Sequence, residues 1–439
     1  LIGSSKDFKV ANQIETRLPT GVKDFLPIKA SKLEYLQSRL MEVFGRWGFR
    51  RVAPAPLEDL AVLELGLGED LREKTFRFDD RQSGRLVAFP PDITPQIARI
   101  AATRMQEMPL PFRLSYSGCV LRHAEQRLGK ERGIYQCGVE LIGLDNPEAD
   151  AEMIVMAIES LQETSSRDFT IDIGQVEFLR GILSGLDVVP ARAEAVRTAI
   201  AGKDSSGLAK LLADLPISDS RRDEILALPR LFGGKEILDR AARVVDNDIS
   251  RQALDNLHQV LDILGSYGVE EHITIDLGEL RGFDYHTGLI FQGFLGGFGH
   301  AVCAGGRYDG LTGRYGFPAP ATGLTFSLLN LLFALDRELD QRVDYGTDIL
   351  LFSAAEDKHP AHRLATVLRG QGYSVARDII ARDRHASLAY ARRMQFRNLL
   401  IIHEDADRLT LVKTTDGRET ELDMPSVMDG QLRLNSSPE

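Results

Sequence analysis

The chain has 439 residues, enough for two or three domains that each bury a core of their own. Its hydrophobic content of 43% and charged content of 27% are those of an ordinary soluble globular protein, and its net charge of −11 argues against bulk nucleic-acid binding through phosphate attraction. Three scattered cysteines, Cys119, Cys137 and Cys303, argue against a disulfide framework or a zinc cluster and for a reducing compartment.

No apolar run is long enough to span a bilayer, and no secretory signal opens the chain, so a cytoplasmic location is expected. The opening LIGSSKDFKV lacks a methionine and is left out of the fold reading.

In chain order, Leu33, Leu36, Leu40, Val43, Phe44 and Trp47 recur at helical spacing and predict a helix over 30–48, stopped by Gly48. RRVAPAPLED reads as a short strand whose prolines suit a sheet edge or an interface. FRFDD and RLVAF read as two strands joined by a polar turn, and RLSYSGCVLR, IYQCGVELIG and FTIDIG as further strands, with a helix over 148–162 between the last two. Residues 176–270 turn rich in Ala, Leu, Arg and Asp at helical spacing, a helical insertion in a β-rich domain. Strands return at HITIDLGEL, GLIFQGF and HAVCAGGRYDG. A helix is expected over 323–337, with Leu328, Leu331 and Leu332 on one face. After a polar joint near 341–346, DILLFSA, HRLATVLRGQG, YSVARDII, HASLAYARRM and NLLIIHE alternate strand and helix, and RLTLVKTT reads as a last strand. That order predicts a small separate domain with a largely parallel sheet.

No P-loop, no dinucleotide fingerprint and no HExxH is present, so neither a cofactor nor a metal is expected. Four segments instead concentrate polar residues in apolar strands: PPDITPQIAR (90–99), LRHAEQRLGKERGIYQCGVELIG (121–143), ELRGFDYHTG (279–288) and AGGRYDG (304–310). They hold Asp92, Thr94, Arg122, Gln136, Glu140, Arg281, Asp284, Tyr285, His286, Arg307, Tyr308 and Asp309. Buried polar groups cost free energy unless paired, so this concentration points to one polar cleft lined by several strands. Carboxylates beside Arg, Thr and Gln suit a zwitterion such as an amino acid, and Gly305 with Gly306 would let it approach the backbone. Each residue alone reads equally well as part of a structural ion pair or a strand-end turn.

These motifs, in this order, resemble class II histidyl-tRNA synthetases from about residue 17 to 430. APAPLED resembles the first class motif, with Pro56 at its proline and a role in a dimer interface. Residues 122–136 resemble the second motif and its loop, RGFDYH and AGGRYDG the two histidine-specific motifs, and ATGLTFSLLNLL the third motif. The resemblance implies an α+β fold: a class II antiparallel sheet core over 17–342 with the insertion at about 176–270. A small α/β domain like the anticodon-binding domain would follow over 347–430. It also implies a histidine pocket. Asp92 and Thr94 would meet the α-amino group, Asp92 standing where the family has Glu. Gln136 and Glu140 would contact the histidine, Arg281 its carboxylate, and Tyr308 would line the imidazole. Arg122 and Tyr285 belong to the same pocket, and His286 stands where the family has a second Tyr.

The nucleotide side departs from that family. Ala124 replaces a second-motif Glu, Leu329 and Asn330 replace the Glu-Arg pair of the third motif, and Ser327 replaces a helix glycine, although Arg122, Lys130 and Arg132 remain. Losing an arginine that clamps nucleotide phosphates removes transition-state stabilisation while leaving amino-acid binding intact. This pattern of retention and loss is similar to the regulatory subunits of ATP phosphoribosyltransferase. The resemblance implies a chain with no catalytic residues of its own, which partners the short-form catalytic subunit as a homodimer within a hetero-oligomer and binds L-histidine for feedback inhibition.

Two other readings stay open. One is a functional histidyl-tRNA synthetase with a divergent third motif. The other is a free-standing histidine-binding or tRNA-mimic regulator with a different partner. Arg392, Arg393 and Arg397 in HASLAYARRMQFRN read as a solvated helix face, so tRNA binding is not expected.

Overall fold

Pro27 starts the first helix, Pro27–Arg46, where its missing N–H goes unneeded, and Leu36, Leu40, Val43 and Phe44 are buried along one face. That face lies on the Pro147–Thr164 and Leu328–Arg342 helices. Lys32 is 2% exposed there and is held by Asp336 and Asp340, each at 2.7 Å. The computed structural model describes residues 18–434 apart from 124–130, 166, 185, 187, 281, 283, 284, 381 and 406. Two compact units divide at Val343 and Asp344.

The first unit contains twelve strands among the described residues: β1 Arg50–Arg51, β2 Glu58–Asp59, β3 Phe76–Asp79, β4 Leu86–Phe89, β5 Phe112–Leu121, β6 Gly133–Ile142, β7 Phe169–Gln175, β8 Phe232–Gly233, β9 Ile273–Asp276, β10 Leu289–Leu295, β11 Ala301–Arg307 and β12 Ala321–Ser327. Nine of them form one sheet in the order β1-β5-β6-β12-β11-β10-β7-β9-β8. Its pairs are antiparallel except β1–β5 and β7–β9. The Pro147–Thr164 and Leu328–Arg342 helices cover one face.

In the first unit PPDITPQIAR, read as lying in a strand, runs instead into the Thr94–Arg104 helix, and two further elements differ from their sequence reading. Residues 321–327 are not the start of a helix but a strand in mid-sheet, between β6 and β11, and the helix begins only at Leu328. A short apolar run fits a fully buried strand as well as a helix, and the sheet on both sides decides. Ser327 marks the switch, its Oγ accepting from the Asn330 N–H at 3.4 Å. The helical stretch between β7 and β9 also contains β8, which pairs with β9 as the edge strand of the sheet.

The small sheet β2-β4-β3 stands beside the Thr94–Arg104 helix. Glu58, 8% exposed, accepts from Arg99 Nε at 2.8 Å, Arg99 Nη2 at 2.6 Å and Gln96 Nε2 at 2.9 Å. Glu58→Ala leaves Arg99 unpaired and is expected to destabilise the first unit by about 3 kcal/mol, read as a lower urea midpoint at unchanged slope. Pro56 lies exposed in the segment between β1 and β2.

The second unit orders its strands β14-β13-β15-β16-β17, where β13 is Thr347–Ser353, β14 Val375–Arg377, β15 Phe396–Ile402, β16 Arg408–Lys413 and β17 Glu419–Asp423. β13 is parallel to β14 and β15, and β16 and β17 continue the sheet antiparallel. RLTLVKTT is therefore not the last strand. β17, ETELD, is an edge strand almost wholly exposed, with no apolar alternation to betray it. Among the described residues, no helix is long and apolar enough to cross a membrane.

Candidate functional site

Strand register builds the centre of the site. Glu140 of β6 faces Gly323 of β12, which faces Gly306 of β11. A side chain at Gly323 would overlap the Glu140 carboxyl group, so this glycine makes the room in which Glu140 lies. Tyr116 of β5 sits opposite Gly138 and reaches across it; a Cβ on Gly138 would come within 2.6 Å of its hydroxyl. Tyr116 Oη donates to Glu140 Oε1 at 3.2 Å and shares a hydrogen bond with Thr325 Oγ1 at 2.5 Å. Tyr308 Oη donates to the other oxygen of Glu140. Glu140 is 1% exposed, and burial pushes its pKa up to about 8, against the pull of the hydroxyls of Tyr308, Thr94 and Tyr116 and with the help of the negative charge of Asp92.

The Pro90-Pro91-Asp92 turn closes one side. Asp92 accepts from the Thr94 N–H at 3.1 Å and pairs with Arg122 Nη2 at 2.9 Å. Arg122 Nε donates to the Pro91 carbonyl at 2.6 Å, and Gln136 accepts from the Ile93 N–H at 3.1 Å. The start of the Thr94–Arg104 helix is thereby pinned to β5 and β6, and Thr94 Oγ1 lies 3.4 Å from Tyr116 Oη.

Aromatic rings close the other side. Tyr285 stacks on Tyr308 with centroids 5.6 Å apart and meets His286 edge-on at 5.0 Å. The Tyr285 hydroxyl is buried and has no hydrogen-bond partner among the described residues. His286 Nδ1 lies 3.1 Å from the Arg307 carbonyl, which can only accept, so Nδ1 carries the hydrogen and Nε2 keeps its lone pair. Burial pushes the pKa of this ring down to about 4, which keeps it neutral. His286 also borders a cavity of about 210 Å³ with Asp172, Asp276, Glu279 and Gln292.

Asp92, Thr94, Arg122, Gln136, Glu140, Tyr285, His286 and Tyr308 thus form one connected set. Arg281, Asp284, Ala124 and Lys130 lie outside the described residues. Arg307 and Asp309, read from sequence as part of the cleft, are not in it. Arg307 follows Gly306 on β11, so its side chain leaves from the opposite face. There it donates to Asp150 at 3.0 Å, Asp309 at 3.1 Å and the Leu144 carbonyl at 3.1 Å. Asp309 in turn accepts from Thr287 Oγ1 and the Ala321 N–H. The glycines before them serve the protein's own packing: a Cβ on Gly305 would strike the Phe291 ring and the Gly323 carbonyl, and Gly306, at φ +155°, would meet the Leu289 carbonyl at 2.6 Å.

Leu329 is 5% exposed, a core residue, and Asn330 Nδ2 donates to the Ala301 carbonyl at 2.7 Å. Tyr116 and Thr325 were not singled out by the sequence. The available signal was a tyrosine inside a strand next to a glycine-bearing one, with nothing to tie it to β12.

The profile of the histidyl-tRNA synthetase family matches residues 21–331. The chain is 58% identical to a protein of Syntrophotalea carbinolica over 96% of this chain and 98% of that one, and 52% identical to a protein of Geobacter sulfurreducens over 97% and 98%. Both are named ATP phosphoribosyltransferase regulatory subunit. A crystal structure from Bacillus halodurans, described as an ATP phosphoribosyltransferase regulatory subunit/histidyl-tRNA synthetase, aligns at TM-score 0.77 and 26% identity, over 89% of this chain and 99% of that one. The histidyl-tRNA synthetase of Nostoc aligns at TM-score 0.79 and 20% identity over 96% and 100%, a likeness of fold. The class II α+β architecture expected from the motifs is the one found, and the chain belongs to the family of ATP phosphoribosyltransferase regulatory subunits, built on the histidyl-tRNA synthetase fold.

Proposed function

We propose that this chain is the non-catalytic regulatory subunit of ATP phosphoribosyltransferase, acting in the cytoplasm as a homodimer within a hetero-oligomer. A short-form catalytic subunit requires it for activity, and L-histidine bound to it inhibits the first step of histidine biosynthesis. The observation that carries this reading is an amino-acid cluster kept together around Glu140 while position 329 is packed as core and position 330 serves the backbone. In this reading Asp92 and Thr94 take the ammonium, Arg281 the carboxylate, Gln136 and Glu140 contact the histidine, Tyr308 lines the ring, and Arg122, Tyr285 and His286 complete the pocket. Inhibition then follows from linkage: histidine must bind the inhibited assembly more tightly than the active one. Arg392, which donates to the Thr414 carbonyl at 2.8 Å, and Arg397, paired with Asp344 and Asp348, are engaged within their own unit, in keeping with a protein that does not grip tRNA.

Adding the purified chain to a short-form phosphoribosyltransferase is expected to raise its activity, and millimolar histidine to suppress it. An unchanged rate in both arms would overturn the proposal. The alternative, a working histidyl-tRNA synthetase, is separated by pyrophosphate exchange. Without the third-motif arginine, histidine-dependent exchange with ATP is expected to fall at least about a hundredfold below a working synthetase. Exchange at a synthetase rate would establish the alternative.

A further inference from the structure

Glu140 is a buried acid with no cation beside it among the described residues. From β5 it meets the Tyr116 hydroxyl, from the segment after β11 the Tyr308 hydroxyl, and from the helix start Thr94. The charged group acting on it from the Pro90-Pro91-Asp92 turn is Asp92, of its own sign. Arg122 is turned to Asp92 and the Pro91 carbonyl, and Arg307 to Asp150 and Asp309 on the far face. Arg314 and Tyr315 act on Tyr285. A carboxylate in such a setting is costly, and protonation removes the cost. Next to it, the Tyr285 hydroxyl is buried without a partner among the described residues. The cluster is therefore one proton rich and one hydrogen bond short.

We infer that the bound state holds a single proton shared between the Glu140 carboxyl group and the imidazole of the ligand, and that the empty site supplies this proton. The inference rests on the histidine reading above. The proton passes along, or stays within, one hydrogen bond from the Glu140 oxygen to a ring nitrogen; no other bond forms or breaks, and nothing is released to solvent.

The pH dependence follows. A free imidazole titrates at about 6.5, and burial places Glu140 at about 8. Between these values the empty site carries the proton and the ring carries none, so binding exchanges no proton and affinity is flat. Below about 6.5 both partners are protonated and one proton must leave, so affinity falls about tenfold per pH unit as pH drops. Above about 8 neither is protonated and one must be taken up, so affinity falls about tenfold per unit as pH rises.

The test is calorimetric titration of the full-length chain with L-histidine at pH values from about 5.5 to 9, in pairs of buffers that differ in ionisation heat. Equal heats in both buffers near pH 7.2, roughly midway through the flat window, are expected, with proton release at the acid end and uptake at the alkaline end. The ligand's amino group also titrates at high pH, so Glu140→Gln is the reference; it keeps that contribution and loses the limb centred on Glu140. Should that variant not bind, Tyr308→Phe serves instead: it removes the hydroxyl that holds Glu140 down and shifts the alkaline limb upward. Histidine binding with one proton released or taken up near pH 7.2, or with identical profiles for parent and variant, overturns the shared proton and leaves the histidine site standing. No heat at millimolar histidine at any pH, from a protein shown to be folded, overturns the histidine site itself.

Discussion

Glu140→Ala is expected to weaken histidine binding by about two to three orders of magnitude. Truncating one partner of a buried, hydrogen-bonded charged pair costs about 2–5 kcal/mol, and 1.4 kcal/mol is tenfold. Alanine also strips Tyr308 Oη of its acceptor, and a buried hydroxyl left without a partner costs about 1–3 kcal/mol, while Tyr116 Oη keeps its bond to Thr325. Equilibrium dialysis near neutral pH reads the loss directly; a variant within threefold of the parent would remove Glu140 from the pocket. The same residue has a signature in the empty protein. Its folded pKa of about 8 stands above the ordinary carboxyl value of 4.5, so the folded state binds the proton more tightly than the unfolded one. Its contribution to stability is complete below about 4.5 and is lost as pH rises through 8. Glu140→Gln is accordingly expected to flatten the fall in melting temperature across that window.

Asp150→Ala is expected to be the most damaging change to stability, at about 3–5 kcal/mol, because it leaves the Arg307 guanidinium buried without its one fully buried acidic partner. Arg307 is 6% exposed and Asp150 1%, so water cannot make good the loss. In a unit of this size a loss of about 4 kcal/mol lowers the melting temperature by roughly 6 °C. Asp150→Asn keeps an acceptor in place and is expected to lose less. Scanning fluorimetry of both variants makes the comparison; equal, small shifts would show that Asp309 and the carbonyls of Leu144 and Asn146 satisfy the arginine without Asp150.

Much of the architecture is legible in the sequence where periodicity is unambiguous. The Pro27–Arg46 helix carries its buried leucines at the spacing that announces it, and β5, β6 and β7 are bounded apolar runs. β12 was misread because LTFSLL satisfies both periods, and only its place between β6 and β11 decides. The cleft was legible through motifs, yet pooling neighbours hid its geometry. Tyr308 enters it and Arg307 does not, though they are adjacent: Arg307 ends β11 with its side chain on the far face, and the chain leaves the strand at Tyr308. Tyr116 could not be found at all from spacing: its hydroxyl partner Thr325 is 209 residues away.

The packing around Leu329 and Asn330 also bears on what these two positions can accept. Glutamate at 329 would bring an unpaired carboxylate into a site where leucine is 5% exposed, at several kcal/mol. Arginine at 330 would first have to give up the bond that Asn330 makes to the Ala301 carbonyl. Each substitution is penalised before the other can compensate it, so the interior holds this Leu-Asn pair in place through the protein's own need to stay folded.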